Sequence, residues 1–175
     1  MTTQRTGLVT LAGNPITLLG QPLEVGSQMP SFTVRRDLGP DTVYNEQTDA
    51  GKLRIINVVP SLETSVCSLQ TARFNQEAAK LGDKALVITV SMDLPPAQER
   101  WCQANSVANL ITASDYYEHS FGLATGLRIQ ETGLLARCVI ILDGQGTVRY
   151  VQLVPEIGQE PDYDEAMAAV QQALN

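Results

Sequence analysis

Residues 60–75 read PSLETSVCSLQTARFN, which sets Thr64 and Cys67 three positions apart at the start of a stretch with helical spacing. If Thr64 is the N-cap of that helix, Cys67 is its third residue. There the sulfur meets unsatisfied backbone N–H groups and the positive end of the helix dipole. Cysteines so placed hold their proton weakly, above all beside an arginine, and the thiolate is the nucleophilic form. Pro60, where the preceding strand ends, would fix the loop that carries the thiol. The chemistry implied is attack by sulfur. The alternative is a small buried side chain that only packs.

Cys102 follows Trp101, too far along the chain from Cys67 to form a C-x-x-C pair. It reads either as a half-buried packing residue or as a partner for Cys67. In the second case a helix turn must unravel, because a disulfide needs its Cα atoms within about 7 Å. Cys138, inside LLARCVIIL, reads as a core side chain. Arg137 beside it points to the other face of the sheet, where a charge needs a partner; a thiolate would serve. His119 is the only histidine, so neither a metal-ligand cluster nor a protease-type base beside the thiol is in view. It reads as a surface or capping residue. The DGQG of 143–146 is a hairpin turn without a phosphate-loop signature.

The elements that must position these residues are legible from periodicity. LRIINVV (53–59) and ALVITVS (85–91) are apolar, β-branched runs of the kind covered on both faces. Between them Phe74, Ala78 and Leu81 recur at helical spacing ahead of Gly82, which predicts a helix over about 65–81. Strand, helix and strand make a parallel βαβ unit with a right-handed crossover. Pro95 and Pro96 open a second helix that runs on through Ala97–Ala104 and carries Cys102. Asn109–Thr112 reads as a short strand. LLARCVIIL (134–142) and TVRYVQLV (147–154) form an antiparallel hairpin, and Asp162 caps a last helix striped by Tyr163, Met167, Val170 and Leu174, with Glu165 three residues on. Upstream, Val9–Leu11 and Ile16–Leu19 form a hairpin around a Gly-Asn turn, and Phe32–Val34 and Thr42–Tyr44 read as short strands. A parallel βαβ followed by ββα is an α/β, thioredoxin-like arrangement, here with an extra N-terminal β-hairpin.

At 175 residues the chain is expected to be one domain, spanning 1–175, with a core that needs no staples. Twelve basic residues against nineteen acidic give a net charge of −7, which argues against nucleic acid or an anionic membrane as the main partner. The first residues lack the apolar core of a secretory signal, and no apolar run approaches the ~20 residues that cross a bilayer. A cytoplasmic location is therefore expected. Three cysteines, an odd number, do not form a secreted disulfide framework; if they matter, they matter as thiols.

With these residues in view, the chain resembles the thiol peroxidase family, the atypical two-cysteine branch of the peroxiredoxins, over essentially its whole length. The resemblance is carried by PSLETSVC, by SMDLPPAQERWC with its Ser91, Asp93, Leu94, Pro95, Ala97, Arg100 and Cys102, and by the arginine of LLARCVIIL. It implies a peroxiredoxin fold and a peroxidase acting on hydrogen peroxide and alkyl hydroperoxides without a metal or organic cofactor. Cys67 would be the peroxidatic cysteine and Cys102 the resolving one, the two closing an intramolecular disulfide, with Thr64, Pro60 and Arg137 supporting the thiolate. A homodimer reduced by thioredoxin is also implied. The chain departs from the family pattern at Glu63, where aspartate is usual, at Pro96, where an aromatic is usual, and at Cys138, where alanine is usual. Two rivals stand beside the enzyme: a peroxide-sensing redox regulator on the same fold, and a binding module whose Cys67 is an ordinary thiol.

Overall fold

A computed structural model describes residues 2–175. The chain opens with the hairpin β1 (Gln4–Leu11) and β2 (Asn14–Leu19), which pair antiparallel. Its two turn residues are Ala12 and Gly13, with φ of 49° and 77°. A two-residue hairpin that follows the strand twist needs positive φ at both central positions, which suits glycine and strains alanine. The turn therefore lies one residue before the expected Gly-Asn pair, and Asn14 belongs to the strand.

Next come β3 (Thr33–Arg35) and β4 (Val43–Asn45), each one residue later than the sequence suggests. The βαβ unit follows as β5 (Leu53–Val58), α1 (Ser65–Leu81) and β6 (Ala85–Ser91), with β5 and β6 parallel in register from Leu53↔Ala85 to Val58↔Val90. Then run α2 (Pro95–Ala104), β7 (Ile111–Ser114), α3 (Ser120–Thr125), β8 (Arg128–Ile129), β9 (Cys138–Leu142), β10 (Val148–Leu153) and α4 (Tyr163–Leu174). The main sheet has the order β10-β9-β5-β6-β7-β3-β4, and a three-stranded sheet has the order β1-β2-β8.

Strands β7 and β9 are displaced from the sequence reading as well, each for a local reason. β7 lies two residues further on than Asn109–Thr112, because its ladder with β6 pairs Ile88↔Ile111 through Ser91↔Ser114. β9 starts at Cys138 rather than Leu134, since Leu135 bridges Arg128 and the Ala136 N–H donates to the Leu127 carbonyl. Leu134–Arg137 thus connects the small sheet to the large one.

Alternation along the central strands divides the core into two faces, as period-2 geometry requires. Ile56, Val58, Ile88, Val90, Cys138 and Ile140 face one cluster, shared with Leu18 of the hairpin and Phe121 of α3. Ile55, Val87, Val139 and Ile141 face the other, filled by Phe74, Ala78 and Leu81 from α1 and by Ala166 and Val170 from α4. Phe74 is 1% exposed, so Phe74→Ala would cost about 3–5 kcal/mol through lost transfer energy and a cavity. Asp162 caps α4 by accepting from the Glu165 N–H at 2.9 Å. Gln152, rather than the Glu165 carboxylate, takes the Asp162 N–H at 2.7 Å. Among the described residues no helix is long and apolar enough to cross a membrane.

Candidate active site

Cys67 sits in the first turn of α1, at the C-terminal end of β5, and is 0% exposed. Thr64 occupies the N-cap position in extended backbone conformation, yet its hydroxyl makes no capping bond to the helix. Instead Thr64 Oγ1 lies 2.8 Å from Cys67 Sγ and 2.9 Å from the Ser61 carbonyl oxygen. A hydroxyl has a single proton to give. Beside a thiol it serves Ser61; beside a thiolate the charged sulfur is the stronger acceptor.

Arg137 reaches the same sulfur from the far side. Its Nη2 is 3.3 Å from Cys67 Sγ, its Nη1 donates to Gln70 Oε1 at 2.7 Å, and its Nε donates to the Ile157 carbonyl at 2.9 Å. Its partners Gln70 and Cys67 lie on α1, the helix packed on the sheet face of Val139 and Ile141, opposite Cys138. Arg137 is 2% exposed, and none of the ion pairs among the described residues includes it. A guanidinium buried with only neutral oxygens around it carries an uncompensated charge, which is costly. A thiolate at Cys67 is the compensating group within reach.

Behind the arginine lies a polar network in an otherwise apolar interior. Gln70 Nε2 donates to Asn57 Oδ1 at 2.5 Å, and Asn57 Nδ2 in turn faces Thr71 Oγ1 at 3.2 Å and Thr89 Oγ1 at 3.0 Å. Gln70, Asn57, Thr71 and Thr89 are all fully buried. Motif reading missed Gln70 and Asn57. The available signals were an asparagine in the middle of a strand buried on both faces, and a glutamine three residues after the cysteine on the same helical face.

A second unanticipated cluster ties the two cysteine-bearing helices together. Asp93 accepts from Ser61 Oγ at 2.6 Å, from the Leu62 N–H at 2.8 Å and from Ser91 Oγ at 2.7 Å. Gln98 of α2 donates to Ser91 Oγ at 2.9 Å, and Arg100 of α2 pairs with Glu63 at 2.6 Å. The loop that presents Thr64 is therefore fastened to the root and to the flank of α2.

The remaining sequence candidates fall in three places. Pro60 and Thr64 line a cavity of about 270 Å³, walled by Leu11, Val66, Leu134 and Ile157 and bordered by Arg137. Cys102, half-buried on α2, joins Cys67 in a small apolar cluster with Val59, Leu62 and Trp101, and also lines a separate open cleft of about 710 Å³. Burial pushes the Cys102 thiol up, with a hydrogen bond from Thr112 opposing that rise. Cys138 is fully buried in the other core face, where desolvation pushes its thiol up to about 12. All three cysteines are free thiols. His119 is half-buried rather than superficial: it precedes α3 with φ 54°, and its Nδ1 lies 2.9 Å from Arg128 Nη1 without capping the helix.

A cysteine at a helix N-terminus, flanked by a threonine hydroxyl and a buried guanidinium on a thioredoxin-like sheet, is the arrangement of a thiol-based redox protein. The Redoxin family model matches residues 24–167, and the chain belongs to that family. It is 46% identical over 164 residues to the thiol peroxidase of Streptococcus sanguinis, covering 93% of this chain and 98% of the relative. The thiol peroxidase of Halalkalibacterium halodurans is likewise 46% identical, over 167 residues, 95% of this chain and 98% of its own. Among solved structures, the peroxiredoxin-like protein from Aquifex aeolicus superposes with a TM-score of 0.86 at 39% identity, over 96% of this chain and 98% of that one. The fold is that of a peroxiredoxin with an additional N-terminal hairpin, and the protein is a thiol-dependent peroxidase.

Proposed function

We propose that the peroxidase reaction is carried by Cys67, with Thr64, Arg137 and Pro60 as its support and Cys102 as the resolving thiol. The observation that carries this reading is the convergence of Thr64 Oγ1 and Arg137 Nη2 on Cys67 Sγ. The thiolate's electron pair attacks one peroxide oxygen in line with the O–O bond, which breaks. The departing oxygen leaves as hydroxide or alkoxide and takes up a proton, and Cys67 becomes a sulfenic acid. Arg137 and Thr64 hold the thiolate and the incoming peroxide oxygens, and first-turn N–H groups meet the charge that develops on the leaving oxygen. Pro60 fixes the loop at the cavity edge.

Cys102 then attacks the sulfenic sulfur, a Cys67–Cys102 bond forms, and the hydroxyl leaves as water. The two sulfurs start on different helices, so the first turn of α1 and the part of α2 around Cys102 must loosen. A dithiol protein of the thioredoxin type supplies the two electrons and two protons that reopen the disulfide. The chain works in this reading as one domain, as a homodimer, in the cytoplasm, on hydrogen peroxide and alkyl hydroperoxides. The apolar cavity beside Thr64 supports the second substrate class.

The test is titration of the reduced protein with one equivalent of peroxide, followed by intact mass and peptide mapping. Loss of two hydrogens with a Cys67–Cys102 bridge is expected. No reaction, or a bridge through Cys138, refutes the assignment. In Cys102→Ser one equivalent should be consumed and Cys67 should stall as an oxidised monothiol.

A further inference from the structure

The N-terminal hairpin lies outside the main sheet, yet one carboxylate gathers its tip beside the cavity that Thr64 and Arg137 line. Glu156, in the loop after β10, gathers four donors. Its Oε1 accepts from the Ala12 N–H at 3.1 Å and the Gly158 N–H at 3.0 Å, and its Oε2 accepts from Thr10 Oγ1 at 2.7 Å and the Gly13 N–H at 3.1 Å. Ala12 and Gly13 are the two left-handed residues of the turn. Successive N–H groups in such a turn form a concavity that accepts an anion. Backbone bonds reinforce the junction: the Thr10 N–H donates to the Pro155 carbonyl at 2.8 Å, and the Ile157 N–H to the Thr10 carbonyl at 2.9 Å. The donors hold the Glu156 carboxyl down to about 2, the Gly158 N–H foremost, so the carboxylate is charged at any working pH.

What this junction positions is the cavity wall. Leu11, next to the turn, is 38% exposed and lines the cavity together with Ile157, the neighbour of Glu156. The Ile157 carbonyl is also the acceptor that holds Arg137 Nε. Hydrogen peroxide has no apolar part for such a wall to meet, whereas an organic hydroperoxide has a tail that removes apolar surface from water there.

We propose that Glu156 is a positioning residue for substrate selection, docking the hairpin tip so that Leu11 and Ile157 form a wall for the apolar tail of an organic hydroperoxide. This rests on the assignment of Cys67, Thr64 and Arg137 as the reacting centre. In Glu156→Gln the amide nitrogen replaces one acceptor oxygen; even turned toward Thr10, whose hydroxyl can rotate to accept from it, it leaves the Gly13 N–H without a partner and removes the charge that the turn holds. The wall then loosens, while Thr64 and the first turn of α1 make no contact with the altered group.

The experiment compares kcat/KM for cumene hydroperoxide and for hydrogen peroxide in the wild-type protein, in Glu156→Gln and in Leu11→Ser. The expected result is a fall of about tenfold in the cumene-to-hydrogen peroxide ratio in both variants, expressed as a raised KM for cumene hydroperoxide. Leu11→Ser keeps the proposal testable if Glu156→Gln does not fold. Equal losses on both peroxides, or an unchanged ratio, overturn it and leave the peroxidase reading intact. A wild-type protein that consumes neither peroxide overturns the assignment of the reacting centre, and this proposal with it.

Discussion

Gln70 Oε1 accepts from Arg137 Nη1 at 2.7 Å, one helical turn below the sulfur that the same guanidinium approaches at 3.3 Å. Gln70 thereby fixes the plane of the arginine, and Asn57 fixes Gln70. Gln70→Leu keeps the volume but leaves Asn57 Oδ1 and one arginine N–H without partners in a dry interior, at a cost of about 1–3 kcal/mol for the unsatisfied groups. The expected outcome is a lowered denaturant midpoint with an unchanged m-value, and a slower reaction with peroxide in single turnover. A variant that loses stability but reacts at the wild-type rate would assign Gln70 to the core alone.

The Thr64 hydroxyl is close enough to the sulfur to matter in the chemical step. Thr64→Val is nearly isosteric and removes only the hydrogen-bonding oxygen. Loss of one preorganised donor at a reacting centre commonly costs about 10²–10³ in rate. Thr64→Val should show a loss of that order in peroxide consumption, and Thr64→Ser, which keeps the hydroxyl, should stay within about tenfold of wild type. Stopped-flow measurement of the first turnover separates the two. Equal behaviour of Val and Ser would mean that the hydroxyl is not used.

Asp93 joins the loop before α1 to the root of α2, so it bears on the proposed Cys67–Cys102 closure, in which both helices would have to give way. Asp93→Asn removes the charge and one acceptor from three converging donors. Weakening this fastening raises the population in which the Cys67 turn is open. The expected consequence is split: slower capture of peroxide, because the folded turn is the reactive one, and faster disulfide closure. Under excess peroxide the variant should therefore accumulate less Cys67 sulfinic acid, read by mass. More sulfinic acid than in wild type would contradict the role given to Asp93.

The contrast between these residues explains what was legible in the sequence. Within the βαβ unit α1 and β6 were readable to the residue and β5 to within one, because apolar periodicity and a helix-ending Gly82 agree there. Cys67 and Arg137 stood out because a thiol at a helix N-terminus and a charge within an apolar run are unusual, and Thr64 because it fits an N-cap; the structure brings the three together at one sulfur. Gln70 and Asn57 were not, since a buried polar side chain is recognised by its partners: the two bond each other across β5 and α1, but Thr89 and Arg137, which complete the network, lie further along the chain. The turn at Ala12-Gly13 escaped for a related reason. Its positive φ at alanine is sustained by Glu156, more than 140 positions away, whose carboxylate accepts the N–H groups of both turn residues.

Cys138 makes a prediction about alkaline stability. Burial raises its thiol from the ordinary 9.0 to about 12 in the folded protein. Below about pH 9 the thiol is protonated in both states, and its full contribution to stability is present. Above that, the unfolded chain ionises first, so this contribution shrinks as pH rises and is lost through about pH 12. Cys138→Ala cannot ionise and should flatten the fall of unfolding free energy between about pH 9 and 12, at the cost of a small cavity near neutrality, about 1 kcal/mol. Tyr44, also raised to about 12 by burial, titrates in the same window, so the readout is the difference between wild type and variant rather than the slope itself. Identical slopes would place Cys138 in contact with solvent in the folded state, and it would then compete with Cys102 for the oxidised Cys67.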